Sequence, residues 1–164
     1  MNYFKIFVLL DRAQGFGISG NSFNNMWRFF YMANLKKILI VEDEENIRCL
    51  LSEVLSNKGF EVNLAQDGQE SVDQLGNKSF DLVITDINMP RLNGIEMLKW
   101  MKKTDRKEKI IIMTGDPTDE RLRNVDIPHV EKRLLKPFKL NNLLDVVIAS
   151  MVNKGELQNA GLYE

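Results

Sequence analysis

Lys37-Ile38-Leu39-Ile40-Val41 is a short run rich in β-branched residues that ends abruptly at Glu42 and Asp43. A strand of a parallel sheet is covered on both faces, so it reads as an unbroken apolar run rather than as an alternation. Downstream, over residues 45–57, Ile47, Leu50, Leu51, Val54 and Leu55 recur at spacings of three and four. That spacing predicts an amphipathic helix, stopped by Gly59. The pairing then repeats along the chain. Strands are expected at 61–65, 81–85, 109–113 and 130–135. Helices are expected at 67–77, through Ile95, Leu98 and Met101, weakly at 119–124, and at 141–152. Strands alternating with helices imply an α/β fold, a doubly wound five-stranded parallel sheet with helices on both faces.

Ligands of an open parallel sheet bind outside the carboxyl ends of the strands, near the switch in strand order. The first strand is followed by Glu42 and Asp43, the third by Asp86, the fourth by Thr114 and the fifth by Lys136 and Pro137. Ala65 and Gln66, after the second, offer little chemistry. In the flavodoxin-like order 2-1-3-4-5 the first and third strands are neighbours, so three carboxylates meet at one edge. They repel one another and raise each other's pKa unless a cation is present. Their hard oxygens suit Mg2+, which takes few protein ligands and keeps several waters. An ammonium from Lys136 and a hydroxyl from Thr114 would stabilise a phosphoryl group arriving on one carboxylate. Asp86 is the acceptor candidate, because Glu42 and Asp43 sit together as a metal-holding pair. Each residue also has a bland role: helix cap for the acids at 42–45, turn former for Asp86, β former for Thr114, and turn for Lys136-Pro137. Their placement at the ends of four strands in chain order argues for the site.

The rest of the composition mostly excludes. The chain has 164 residues, 44% apolar and 27% charged, which rules out wholesale disorder, collagen and coiled coil. Its net charge of −1 gives no sign of nucleic-acid or membrane-surface binding. Neither the lone Cys49 nor the lone His129 can build a disulfide or a multi-histidine metal site. A cytoplasmic location is expected. Residues 1–31 hold nine of the fourteen aromatics, carry a net charge of +2 and show no lasting period. They are expected to be a disordered extension or sequence upstream of a start at Met32. Asp11 and Arg12 cut the Ile6–Leu10 apolar run too short for a signal peptide. Gly15-Phe16-Gly17-Ile18-Ser19-Gly20 matches the dinucleotide fingerprint G-x-G-x-x-G, the alternative being a nucleotide-binding oxidoreductase. Residues 11–14 separate the preceding run from the glycines, however, and residues 21–31 make a poor helix. Residues 153–164 are read as a short tail. Cys49, Met89, Met97, Trp100 and Met101 are read as core or partly buried packing.

The stretches Ile38–Glu44, Asp81–Pro90 with Asn93-Gly94, Ile110–Gly115 and Leu134–Phe138 together resemble the receiver domain of bacterial response regulators, the CheY-like family of two-component systems. The resemblance covers roughly residues 36–152, within a domain taken as 32–152. It implies that Asp86 is the phosphoacceptor and that Asp43, Asp86 and the main-chain carbonyl of Asn88 ligate Mg2+ directly. Glu42 acts mainly through water, Lys136 contacts the phosphoryl oxygens, Thr114 swings toward them, and the Lys136–Pro137 peptide is cis. It implies a stand-alone, cytoplasmic phosphoacceptor protein in a phosphorelay, catalysing only its own phosphorylation and dephosphorylation. Its phosphoryl group comes from a sensor histidine kinase or a histidine phosphotransfer protein, and its output is a protein target, with no nucleic acid or membrane. The alternative on the same fold is a pseudo-receiver, a binding module that takes no phosphate. Two departures stand out. Glu42 replaces the commoner aspartate, and Arg133 occupies a switch position that is usually aromatic or His. Arg133 either signals by changing its pairing or is a solvated edge charge. Residues 126–129 lack the usual small-residue turn, so a short or mobile fourth helix is expected.

Overall fold

A computed structural model describes residues 36–116, 118–123 and 127–151. The expectations for residues 1–31, the start at Met32, the Gly15–Gly20 stretch and the tail at 153–164 fall outside the described residues. In chain order the elements are β1 (Lys37–Val41), α1 (Glu45–Ser56), β2 (Glu61–Ala65), α2 (Gly68–Asn77), β3 (Leu82–Asp86), α3 (Gly94–Lys103), β4 (Lys109–Thr114), α4 (Glu120–Arg123), β5 (Val130–Leu135) and α5 (Leu140–Met151). The five strands form one sheet in the order β2-β1-β3-β4-β5, and every neighbouring pair is parallel. This is the expected doubly wound arrangement.

Strand periodicity divides the core into two layers. Ile38, Ile40, Leu82, Ile84, Ile111 and Met113 pack with Leu51 and Leu55 of α1 and Leu143 and Val147 of α5. The alternate residues Leu39, Val41, Val83, Ile110 and Ile112 pack with Leu75 of α2, Ile95, Leu98 and Met101 of α3, and Leu122 of α4. Burying each such side chain contributes about 1.5–3 kcal/mol, which is why the central strands tolerate almost no polar residue before their carboxyl ends. β5 is an edge strand, and its exposed Glu131, Lys132 and Arg133 guard it against pairing with another chain.

Some expectations need correction. Cys49 is exposed, and Leu50 keeps 46% of its surface, because α1 turns only Leu51 and Leu55 fully inward. Asp81 precedes β3 instead of belonging to it. Its carboxylate accepts from the Lys37 backbone N–H and from Lys36 Nζ, each at 2.8 Å, and so anchors the start of β1. The acids at 42–45 do not cap α1 through a side chain: Glu44 is the N-cap residue but makes no such bond. By contrast, Asp67 caps α2, and Asn93 and Glu96 form a reciprocal capping box on α3. The fourth helix is a single four-residue turn, short as expected.

Candidate functional site

The register of the sheet assembles the site. Val41 pairs with Thr85, Asp86 with Met113, and Thr114 with Leu135. Glu42 therefore lies level with Asp86, while Thr114 lies one residue and Lys136 two residues further along the same edge. The backbone N–H of Lys136 donates to the Thr114 carbonyl at 2.7 Å, and the Lys136–Pro137 peptide is cis.

Glu42, Asp43 and Asp86 each offer a carboxylate oxygen within 4.8 Å of the others. Glu42 has no exposed surface, Asp86 keeps 7%, and Asp43 is open to solvent. Lys136 Nζ bridges the two buried acids, donating to Glu42 Oε2 at 2.8 Å and to Asp86 Oδ2 at 2.6 Å. The other Asp86 oxygen accepts from the backbone N–H groups of Ile87 at 2.5 Å and Asn88 at 3.2 Å. Asp86 is thus a turn former and a member of the cluster at once. Burial pushes the Glu42 carboxyl above its ordinary pKa, against the opposing pull of its bond to Lys136. Burial would lower Lys136, but its hydrogen bonds to Asp86 and Glu42 outweigh that and hold the ammonium above the usual lysine value.

Glu42 Oε1 is buried and has no hydrogen-bond partner. A charged oxygen orphaned in this way is costly, and a hard cation beside it removes the cost. With three convergent carboxylates, one of them facing water, the donor set fits Mg2+ with retained waters.

The loop after Asp86 is pinned at several points. The Gly94 N–H donates to Ile87 O at 3.0 Å, and the Gly68 N–H to Leu92 O at 2.9 Å. A Cβ at Gly94 would lie 2.1 Å from the Asp86 carbonyl oxygen, so the start of α3 packs directly on the Asp86 backbone and only glycine fits. Buried Asp67 is ion-paired with Arg91 of the same loop. Arg48 of α1 steadies the other acidic loop, donating to the carbonyls of Glu42 at 2.6 Å and Asp43 at 3.1 Å.

Glu42, Asp43, Asp86 and Lys136 therefore come together as expected. Thr114 is buried on the neighbouring strand, but its hydroxyl is engaged by its own loop, donating to Asp116 O at 2.9 Å and accepting from Asp116 N–H at 3.1 Å. The Asn88 side chain is exposed and accepts from Arg121. Arg133, out on β5, donates to Leu122 O at 3.2 Å. Arg48, the Asp67–Arg91 pair and Arg121 were not anticipated, and Gly94 was noted only as part of the resemblance. The Asp67-Gly68 and Asn93-Gly94 pairs, each a cap residue followed by glycine, were the available signal for two of these close approaches.

The model of the response regulator receiver domain matches residues 38–148. Response regulator MprA of Mycobacterium sp. (strain KMS) is 38% identical over 109 residues, which is 66% of this chain and 47% of that protein. This chain thus spans about half the length of such curated relatives. Sporulation initiation phosphotransferase F of Bacillus subtilis is 34% identical over 112 residues, covering 68% of this chain and 90% of the relative. Among solved structures, the response regulator TrrA of Thermotoga maritima, in complex with Mg2+-BeF, matches with 32% identity and a TM-score of 0.62, covering 71% of this chain and all of that one. The chemotaxis response regulator CheY4 of Vibrio cholerae matches with 28% identity and a TM-score of 0.63, covering 72% of this chain and 100% of that chain. Among the described residues, no helix is long and apolar enough to cross a membrane. The five-stranded order, the acidic edge and these matches lead to one conclusion: the chain belongs to the response regulator receiver domain family of two-component signalling.

Proposed function

We propose that the protein accepts a phosphoryl group on Asp86 from a sensor histidine kinase or a histidine phosphotransfer protein and acts by binding a protein partner. The observation that carries this reading is the convergence of Glu42, Asp43 and Asp86 within 4.8 Å, bridged by Lys136. An Asp86 carboxylate oxygen attacks phosphorus, the P–N bond of the phosphohistidine breaks, and the electron pair leaves with the imidazole. The product is an acyl phosphate. Lys136, already hydrogen-bonded to Asp86, holds its ammonium beside the reacting carboxylate, where it can pair with the incoming phosphoryl oxygens. A Mg2+ ion held by Glu42, Asp43, Asp86 and, by family resemblance, the Asn88 carbonyl would supply the remaining charge neutralisation. The Ile87 and Asn88 N–H groups orient the carboxylate. Thr114 gives up its two bonds to Asp116 when its hydroxyl turns to the phosphoryl group. Arg133 reports the change through its bond to α4. The relative named a phosphotransferase supports a place in a relay.

Incubation with acetyl phosphate and Mg2+, followed by intact-mass measurement, tests the proposal. A gain of one phosphoryl group in the wild type and none in Asp86→Asn is expected. No gain in a wild type that binds Mg2+ would replace this reading with a pseudo-receiver.

A further inference from the structure

α4 is a single turn, too short to be stable through its own hydrogen bonds, so its position depends on what ties it down. One tie reaches the acceptor loop. Arg121 Nη2 donates to Asn88 Oδ1 at 2.8 Å, across 33 residues of sequence. The guanidinium is aimed by Asp119, which accepts from Arg121 Nε at 3.0 and 3.1 Å and from Nη2 at 2.6 Å. Asp119 also accepts from the Arg121 backbone N–H at 2.9 Å. Asn88 in turn donates its backbone N–H to Asp86 Oδ1 at 3.2 Å. An unbroken line of hydrogen bonds thus runs from Asp86 through Asn88 and Arg121 to Asp119. Since Asp119 offsets the charge of Arg121, the pair brings no net charge to the acidic edge, and its contribution is geometric. The planar fork is essential to it: one side chain must serve Asp119 at two nitrogens and still reach Asn88, which an ammonium cannot do.

We infer that Arg121 is a positioning residue for phosphoryl transfer: through Asn88 it fixes the loop that orients Asp86 and couples that loop to α4. The inference rests on the phosphoacceptor reading above. Without the fork, the Asn88 amide loses its partner, the loop samples more conformations, and fewer of them hold Asp86 aligned.

The test follows phosphorylation by acetyl phosphate with Mg2+, by intact mass over time, in the wild type, Arg121→Ala, Arg121→Lys, Asn88→Ala and the Arg121→Ala/Asn88→Ala double variant. Amide hydrogen exchange of residues 120–122 is measured on the same proteins without phosphodonor. Loss of one such hydrogen bond predicts a rate about fivefold lower in Arg121→Ala at an unchanged melting temperature. Lysine should give no rescue, and the double variant should be no slower than the slower single one. Exchange at α4 should rise in Asn88→Ala although the substitution is remote in sequence. An Arg121→Ala rate equal to or above wild type, multiplying single effects, or unchanged exchange at α4 would each overturn the inference. A wild type that takes up no phosphoryl group would instead overturn the phosphoacceptor reading and the transfer role with it, and exchange would then decide the tie alone.

Discussion

Gly94→Ala places one methyl group against the backbone of Asp86. Its Cβ would lie 2.1 Å from the Asp86 carbonyl oxygen, 2.9 Å from Ile87 Cα and 3.1 Å from the Asp86 carbonyl carbon. An ordinary carbon–oxygen contact is about 3.3 Å, so α3 and the end of β3 must part by roughly 1.2 Å. All three obstacles are backbone atoms, so no side-chain rotation relieves the collision. Overpacking costs about 1–3 kcal/mol, and the better helix propensity of alanine returns at most about 1 kcal/mol, leaving a net loss of about 2 kcal/mol. At about 4 °C per kcal/mol, the melting temperature should fall by about 8 °C. The same displacement moves the reacting carboxylate, and an error of about 1 Å in such a group can cost about a hundredfold in rate. Thermal unfolding by circular dichroism and the acetyl phosphate time course measure the two effects. A variant that melts within about 2 °C of wild type and is phosphorylated at the same rate would refute the close-packing argument.

Lys136→Ala leaves the fully buried Glu42 without its cation, and the metal-free protein should lose about 1–3 kcal/mol in urea denaturation. Added Mg2+ should recover part of that loss by binding only the folded state, and unchanged stability would contradict the pairing. For Glu42, burial raises the folded-state pKa above the ordinary glutamate value of 4.5, so the folded state binds the proton more tightly than the unfolded one. The stability this confers is fully present below 4.5 and is lost as pH rises through the raised value. Glu42→Gln removes that contribution, so the metal-free variant should lose less stability than wild type as pH is raised from the ordinary carboxylate range toward neutrality, whereas equal losses would refute the assignment. Gly68→Ala would bring a Cβ to 2.3 Å from Leu92 O, and a melting temperature lower by about 4–8 °C is expected in the same unfolding assay.

The strands were legible because a buried parallel strand has to be apolar on both faces. Ile38–Val41, Leu82–Ile84 and Ile110–Met113 carry that pattern without interruption, and Glu42, Asp86 and Thr114, within two residues of their ends, mark the functional edge. Parallel register then does the rest, which is why Glu42, Asp86 and Lys136, scattered over 94 residues, could be placed together from sequence. What escaped reading depends on side-chain reach and not on period. Leu50 fits the helical spacing of α1 yet faces outward, because spacing alone does not fix how wide a stripe the sheet can cover. Arg121 and Arg48 look like ordinary solvated charges in sequence, and only the folded loops show which carbonyl or amide each one meets. Thr114, expected just after the fourth strand, is its last residue, but the choice of hydroxyl partner belongs to the loop that follows and has no signature in the sequence.

An acyl phosphate is a mixed anhydride that borohydride reduces to an alcohol, leaving a permanent mark on the residue that carried it. Treating the acetyl phosphate-reacted, Mg2+-loaded protein with borohydride and sequencing its peptides by mass spectrometry should find that mark at Asp86 and at neither Glu42 nor Asp43. A mark on another carboxylate, or none despite a gain in intact mass, would contradict the assignment of Asp86 as the group that Lys136 and its acidic neighbours serve.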